Sequence, residues 1–371
     1  MVRDFYFDRV LFVSFLVLAI IGIIFVYSAT SVPLALEGKD SLKYLKREII
    51  FLVLGSIVMV GAYLTPISFW KKFAYPSVLI SLILLVIVLL FPANFDSTHV
   101  KRWLDLGFIN FQPSEFAKFS VVLFTAAYIG KKNEEFLKKF EASIAMFAVV
   151  GILSLLVLIE PHKGAALYLI ILLMLIMFSS NFRIKHLVLL SIPGLILFAF
   201  KIMTSNYAKN RIVGLLDPEG HRTDVGLQAF QSILSFAKGG LLGEGIGTGT
   251  QKLKYLPEIH TDYIYALIGE EAGFIGSVII IAVFLIILYR GVSISLQKDD
   301  KFVQALGVGL TYLIVIQALF HIMVNLNIMP STGFTLPFVS YGGSSLIMNM
   351  AYAGILLRIS KEPNKFNLKK G

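Results

Sequence analysis

Few ionisable side chains lie inside the apolar parts of this sequence, and those few are the first candidates for chemistry. Glu115 and Lys118 are three residues apart, a spacing at which two side chains of one helix can pair. Glu270 and Glu271 are adjacent, with no basic neighbour in sequence. Ionisable groups at membrane depth are costly, which makes them functional candidates by default. Each set also has a structural interpretation: the first would neutralise itself at a helix end, and the second would bond to backbone or to a basic residue elsewhere.

Asp262 stands where a long polar segment meets an apolar run. Its carboxylate is expected to cap the free N–H groups of a helix that begins there, a role that Thr261 could fill instead. His260 precedes it by two residues, but a His-x-Asp pair alone does not define a metal site. Capping is therefore favoured, and a divalent cation such as Mg²⁺ or Mn²⁺ stays open.

Two segments predict irregular backbone. Residues 232–252 (SILSFAKGGLLGEGIGTGTQK) are rich in glycine and could hold a phosphate through backbone N–H groups. No strand or dinucleotide-binding unit accompanies them, so tight turns over a groove at the membrane surface are predicted instead of a nucleotide site. Residues 331–345 (STGFTLPFVSYGGSS) would be allowed at membrane depth only where they line a cavity or pack on protein. They lack the Gly-x-Ser-x-Gly elbow of a serine hydrolase, and His321 is expected to pack or to hydrogen-bond in a cavity.

Composition shows which elements must position these residues. The 371 residues are 57% hydrophobic and 15% charged, whereas a soluble domain carries about 25% charged residues. We therefore predict an all-α polytopic membrane protein, and cysteine chemistry is excluded because there is no cysteine. The first apolar run is too long for a signal peptide and is expected to be retained. The ten predicted membrane helices lie near residues 10–28, 48–64, 75–92, 114–130, 143–159, 165–180, 185–203, 263–289, 303–327 and 338–357.

The basic residues set the orientation. The net charge of +10 could suggest nucleic acid, but lysine and arginine concentrate in alternate loops, such as those with Lys71, Lys72 and Lys131. Both termini are therefore predicted in the cytoplasm, and nucleic acid is not an expected partner. On the outer side, a polar segment spans about 93–113 and a large structured loop between the seventh and eighth helices spans about 204–262. The whole chain, 1–371, is predicted to form a single membrane domain.

Several long strings, in order along nearly the whole chain, resemble the shape, elongation, division and sporulation (SEDS) family, which includes FtsW, RodA and SpoVE. They are RWLDLGFINFQPSEFAK (102–118), LLDP (215–218), the glycine run, LPEIHTDYIYALIGEE (256–271) and LPFVSYGGSS (336–345). The sequences of the later motifs are more similar to those of FtsW. One motif departs: EPHKGA at 160–165 replaces the frequent QPDLGT, with His162 and Ala165 at the aspartate and threonine positions.

The resemblance implies a peptidoglycan glycosyltransferase in the bacterial cytoplasmic membrane that polymerises lipid II in division or elongation. Its expected partners are a class B penicillin-binding protein and other division or elongation membrane proteins. It implies that Asp262 is the catalytic carboxylate, a role that overrides the preference for capping and is compatible with it. The remaining substrate-binding candidates that the resemblance implies are Arg47, Arg102, Trp103, Gln112, Glu115, Lys118, His260 and Ser340.

The chemistry fits these residues independently. Joining a sugar hydroxyl to an anomeric carbon that carries a lipid diphosphate needs one base, with cations for the leaving group. Asp262 would be the base, and Lys118, Arg102, Arg211 and Lys238 are candidates for the diphosphate. A lipid II flippase and a non-catalytic scaffold of the division or elongation machinery are the alternatives.

Overall fold

The computed structural model is a bundle of α-helices with one short β-hairpin. It describes residues 7–91, 102–105, 107, 110–160, 162–204, 206–253 and 255–363, so residues 92–101 of the predicted outer segment lie outside it. In this part of the chain the helices are α1 (Arg9–Leu36), α2 (Lys43–Leu64), α3 (Ile67–Leu90), α4 (Pro113–Lys131), α5 (Glu134–Leu137), α6 (Phe140–Ile159), α7 (Lys163–Phe178), α8 (Ile184–Met203), α9 (Asn206–Leu216), α10 (Leu227–Gly239), α11 (Ile264–Leu296), α12 (Lys301–Asn325) and α13 (Gly343–Lys361). Strands β1 (Leu104–Asp105) and β2 (Asn110–Phe111) pair antiparallel, with Leu104 opposite Phe111.

The ten predicted membrane helices correspond to α1–α4, α6–α8 and α11–α13, which confirms the all-α membrane fold. Six of these, α1, α2, α3, α6, α11 and α12, are long and apolar enough to cross a membrane by length and composition. Helices α7 and α8 are apolar over shorter stretches. Helix α4 carries the Glu115–Lys118 pair, so its polar residues point to a buried position inside the bundle.

Several predicted boundaries are wrong: α1 extends to Leu36 rather than to about 28, α11 extends to Leu296 rather than to about 289, and α3 and α13 begin elsewhere than predicted. Helix α3 begins at Ile67 rather than near 75, so Lys71 lies within the helix, where its ammonium pairs with Asp300 at 3.2 Å. A proline at position 76 sits inside this helix, as membrane helices tolerate when neighbours satisfy the freed backbone groups. The last helix begins at Gly343 rather than near 338, because Phe338 adopts φ +65° and the backbone up to Gly342 is not helical.

Helix α12 lies at the centre of the bundle. Its most apolar stretch is 78% buried within the protein, compared with 22% for α2, 28% for α3 and 33% for α6. The outer helices therefore present most of their surface to lipid. Helix α2 packs closely along α13, where a side chain at Gly354 would collide with the carbonyl oxygen of Met59. Small residues at such crossings let membrane helices approach and gain van der Waals contact.

The large loop between the seventh and eighth long helices is structured, as predicted, because α9 and α10 lie within it. It sits at the end of the bundle where α2, α4, α7, α11 and α13 begin. At the opposite end, an ion pair between Asp8 and Arg290 joins the start of α1 to α11. There Lys298, which is 2% exposed, donates to the carbonyl oxygen of Glu362 at 2.6 Å.

Candidate active site

A cavity of about 430 Å³ opens at the loop-bearing end of the bundle. It gathers residues that are far apart in sequence, because five helices begin around it. The lining residues are Arg47, Phe51, Arg102, Trp103, Asn110, Gln112, Glu115, His162, Glu258, Thr261, Asp262, Gly333, Thr335, Tyr341, Gly342, Gly343 and Ser345. Six of the predicted site residues are therefore brought together: Arg47, Arg102, Trp103, Gln112, Glu115 and Asp262.

The Asp262 carboxylate faces this cavity and has no hydrogen-bond partner in the described part of the chain. The predicted capping role is wrong, since the N-cap of α11 is Tyr263 and no side chain of that segment makes a capping bond. The N–H of Ala266 instead donates to Oδ1 of Asn325 at 2.9 Å. Asp262 is thus left available for a bound molecule.

Burial raises the pKa of Asp262 from 3.8 to about 6, and the negative charge of Glu258 adds to this effect. The positive charges of Arg211 and Arg102 act in the opposite direction. The carboxyl group is therefore ionised at neutral pH, although its pKa lies close to it. A pKa near the working pH suits a general base, and such shifts cluster at functional sites.

Gly333 lies between Asp262 and Arg102. A Cβ atom at this position would sit 4.0 Å from Asp262 Oδ2 and 4.0 Å from Arg102 Nη1. Glycine also fits the backbone here, because φ is +76°. Arg102 donates from Nε to the carbonyl oxygen of Glu160 at 3.4 Å, and Arg211 donates to the carbonyl oxygen of Ser331. Two guanidinium groups are thereby held close enough to influence Asp262.

The Glu115–Lys118 pair forms as its spacing predicts, with 2.7 Å between carboxylate and ammonium. Glu115 lines the cavity, whereas Lys118 lies below it and is 1% exposed. Lys118 also donates to Gln317 Oε1 at 2.6 Å and faces the rings of Tyr168 and Phe334. Its ammonium is fully engaged, so the structure places Lys118 as the partner of Glu115 rather than as a free cation for a diphosphate.

The turn between α6 and α7 contains the departure from the family motif. His162 lines the cavity, and its Nδ1 lies 3.4 Å from Nε2 of Gln112. Burial, together with the charges of Arg102, Lys118 and Arg211, lowers the pKa of His162 well below its usual value, so the ring is neutral. A neutral hydrogen-bonding ring therefore stands at the position where the resemblance led us to expect an aspartate.

His260 is placed away from the cavity lining. Its ring packs against Tyr44 and Tyr341, with centroid distances of 4.9 and 5.7 Å. Arg47 lies beside the Tyr341 hydroxyl and lowers the pKa of Tyr341, although burial raises it more. Glu258 and Tyr341 line the cavity and were not singled out from sequence. Both residues lie inside the sequence motifs quoted above. That position is the sequence feature by which they could have been identified.

Three other candidate residues bind the glycine-rich loop. Lys238 donates to Thr250 Oγ1 at 2.6 Å and does not reach the cavity lining. Glu270 accepts from the Thr250 N–H at 2.9 Å, and Glu271 accepts from the N–H of Gly247 at 2.9 Å. The two glutamates therefore have the structural role that was one of their two interpretations.

The fit of a divalent cation depends on the donor set around the cavity. In the described residues, no three histidine, aspartate or glutamate side chains converge in a way that could hold a metal. His260, half of the His-x-Asp pair, is packed between tyrosines. The cavity does not supply a preformed metal site, so Mg²⁺ or Mn²⁺ stays a prediction and no step below depends on it.

The bundle and its cavity define a multi-pass membrane protein with an arginine-lined site at one face of the membrane. The chain belongs to the FtsW/RodA/SpoVE family, since the family model described as "Cell cycle protein" matches residues 8–365. This confirms the family predicted from the sequence motifs.

Curated relatives of similar length are named "Probable peptidoglycan glycosyltransferase FtsW". The protein from Trichlorobacter lovleyi is 36% identical over 354 residues, which cover 95% of this chain and 93% of the relative. The protein from Haemophilus influenzae is 35% identical over 366 residues, covering 98% and 92%. These names agree with the predicted enzyme class.

Solved structures share the fold. One, titled "Structural coordination of polymerization and crosslinking by a peptidoglycan synthase complex", matches with a TM-score of 0.75 at 25% identity, covering 96% of this chain and 98% of that one. The rod shape determining protein RodA of Thermus thermophilus matches with a TM-score of 0.67 at 24% identity, covering 96% and 97%. The all-α membrane architecture is thus the one known for this family.

Proposed function

We propose that this family member is a peptidoglycan glycosyltransferase that polymerises lipid II at the outer face of the bacterial cytoplasmic membrane. The observation that carries the proposal is the Asp262 carboxylate, which faces the cavity, across Gly333 from Arg102, and accepts no hydrogen bond from the residues that the structure describes. The relatives' names give the same enzyme class. They also favour the division branch over elongation.

In the proposed step, an acceptor sugar hydroxyl attacks the anomeric carbon of a donor. The new C–O bond forms as the bond from that carbon to the lipid diphosphate breaks. The hydroxyl proton passes to Asp262, and the bonding electrons leave with the diphosphate. Such proton transfer contributes about 10²- to 10⁴-fold, and the linkage inverts from α to β.

The leaving diphosphate needs positive charge more than it needs an acid. Arg102 lines the cavity and Arg211 acts on Asp262 from close by, so these two guanidinium groups are the proposed holders. Arginine suits this task because its planar fork binds phosphate oxygens bidentately. Fixed charges in a cavity that excludes water can contribute as much as the base.

The proposed partner is a class B penicillin-binding protein, which would cross-link the glycan that this chain makes. Support comes from the neighbouring solved structure, whose title describes polymerization and crosslinking by one complex. The proposed orientation places both termini in the cytoplasm and the cavity outside, as the loop charges predict.

A flippase would need a route from the cavity to the cytoplasmic side. Below Glu115 the bundle is instead filled by side chains that are at most 2% exposed. They are Lys118, Tyr168, Gln317 and Phe334. This filling favours a polymerase that works from one side, while a scaffold would have no need of the Asp262 geometry.

The test compares wild type, Asp262→Asn and Asp224→Asn, each purified with the penicillin-binding partner and given labelled lipid II. Asp224 is an exposed aspartate of the same outer loop and serves as the matched control. With the partner's transpeptidase site blocked, we expect long glycan from wild type and the control, and none from Asp262→Asn. Equal polymer from all three would exclude Asp262 as the base. No polymer from wild type would leave the flippase and the scaffold, which lipid II transport into vesicles would separate.

A further inference from the structure

Three consecutive peptide carbonyls just before α11 are held by groups from other parts of the chain. The carbonyl oxygen of His260 accepts from the N–H of Tyr341 at 3.0 Å. That of Thr261 accepts from Ser340 Oγ at 2.7 Å, and that of Asp262 accepts from Asn325 Nδ2 at 2.9 Å. A loop segment with every carbonyl bonded in this way has little freedom to move.

Asn325 uses its whole side-chain amide at this junction. Besides the bond to Asp262, Nδ2 donates to the carbonyl oxygen of His321 at 2.8 Å, and Oδ1 accepts from Ala266. The side chain is 0% exposed, and its own carbonyl accepts from Ser232 Oγ at 2.6 Å. Asn325 therefore caps α11 from the end of α12 and ties both helices to α10.

Ser340 makes a second, separate tie. Its hydroxyl donates to Thr261 and accepts from the N–H of Leu336 at 2.8 Å, while the residue is 4% exposed. Sequence motifs made Ser340 a candidate for binding substrate. Because the hydroxyl is occupied on both sides, its contacts are those of a residue that fixes backbone.

We propose that Asn325 and Ser340 are positioning residues that hold the Asp262 carboxylate at its place in the cavity. The inference rests on the proposed role of Asp262 as the base. That carboxylate receives no hydrogen bond in the described part of the chain, so its location is set by the backbone on which it stands. A displacement of about 1 Å in a reacting group can cost on the order of 10²-fold in rate.

The first test compares two replacements of Ser340 that have nearly the same shape as each other. Ser340→Thr keeps the hydroxyl, and valine has nearly the shape of threonine without it. The difference between the two variants therefore isolates the hydroxyl's two hydrogen bonds, to Thr261 and from Leu336. We expect kcat for lipid II polymerisation to fall about 10- to 100-fold in Ser340→Val, with KM within about threefold and Ser340→Thr close to wild type. Equal activity of the two variants, or a change in KM alone, would overturn the role of Ser340.

Asn325→Ala is tested in the same assay against Thr311→Val. Thr311 is a matched control, because it is 0% exposed in the same helix and its hydroxyl donates to the carbonyl oxygen of Gly307 in its own helix. We expect a loss of kcat of about 10²-fold for Asn325→Ala, and less than threefold for the control. Equal losses in the two would show general destabilisation of α12 and would overturn the role of Asn325.

Hydrogen exchange measured by mass spectrometry gives a readout that does not need activity. The N–H groups of Thr261 and Asp262 both donate to the carbonyl oxygen of Glu258. Peptides covering 256–263 should exchange faster in Asn325→Ala and Ser340→Val, with peptides from α13 unchanged. Unchanged exchange at 256–263 would contradict positioning even if activity fell. If wild type makes no polymer, the proposed reaction fails, and this exchange measurement then decides the positioning by itself.

Discussion

The ammonium of Lys118 lies 2.7 Å from the carboxylate of Glu115, one helical turn earlier in α4, and both side chains are buried. The pair forms the floor of the cavity, with the carboxylate on the cavity side and the ammonium beneath it. Two charges at this depth are tolerated only together, because a buried charge without its partner has lost its hydration and gained nothing.

Removing one charge should therefore cost more than removing both. We expect Lys118→Met to destabilise the protein by about 3 to 5 kcal/mol, and Glu115→Gln/Lys118→Met to recover most of that loss. Thermal unfolding of the detergent-purified protein measures both. The control is Lys46→Met, which breaks an exposed pair with Asp40 of similar length, 2.8 Å, and should leave the unfolding temperature close to that of wild type. A double variant no more stable than Lys118→Met would contradict this account.

The pH dependence of polymerisation should follow Asp262. Its pKa is raised to about 6 by burial and by Glu258, so the base is protonated below that pH and ionised above it. We expect kcat/KM to rise with pH through about 6 and then level off. Glu258→Gln removes a neighbouring negative charge, so the rising limb should move to lower pH. If kcat/KM of Glu258→Gln rises at the same pH as that of wild type, a group other than Asp262 controls the pH dependence.

The same pKa makes a prediction for stability. Because the folded pKa lies above the ordinary value of 3.8, the folded state binds more protons than the unfolded state between about pH 4 and 6, and stability falls as pH rises through this window. Above it, burying the ionised carboxylate costs about 3 kcal/mol, because each pKa unit of the shift from 3.8 to about 6 corresponds to about 1.4 kcal/mol. Asp262→Asn should therefore unfold at a higher temperature than wild type at pH 8, with the gain shrinking toward pH 5. A lower unfolding temperature at pH 8 would contradict the shift.

Sequence patterns predicted the helices and six of the cavity-lining residues for identifiable reasons. Long apolar runs mark membrane spans whatever their neighbours are, and the motifs around Gln112 and Asp262 pointed to residues that the fold brings together. Contacts between residues that are distant in sequence are not indicated by any local sequence pattern. Nothing local shows that Lys238 turns toward Thr250 instead of the cavity, or that Asn325 rather than Asp262 caps α11. Those outcomes depend on how three helices meet, which spacing in one segment does not encode.

The Glu271 carboxylate should hold the glycine-rich loop in place. It accepts from Lys252 and Ser28, each at 2.7 Å, and from the N–H of Gly249 at 3.2 Å. Helix α11 is interrupted just beyond, where Gly273 has φ +65° and a Cβ would meet the backbone of Gly243. The loop thus packs on a kinked helix, and Glu271 is the buried carboxylate that also pairs with the loop's Lys252.

We expect Glu271→Gln to increase hydrogen exchange of residues 240–253 and to lower the unfolding temperature, because Lys252 is left buried without its counter-charge. Glu244→Gln is the matched control, since Glu244 is an exposed carboxylate of the same loop. Hydrogen exchange of residues 240–253 in Glu244→Gln should match that of wild type. If Glu271→Gln left the loop as protected as the control, the ion pair would be incidental to the loop's order.

The orientation of the bundle can be read chemically because the chain contains no cysteine. Glu219 is exposed between α9 and α10, at the end where the cavity opens, and Glu135 is exposed in α5, which follows α4 at the other end. With both termini in the cytoplasm, Glu219→Cys should react with a membrane-impermeant maleimide in intact cells. Glu135→Cys should react only after permeabilisation. The reverse pattern would place Asp262 on the cytoplasmic side and would exclude polymerisation at the outer face, whatever the purified enzyme does in detergent.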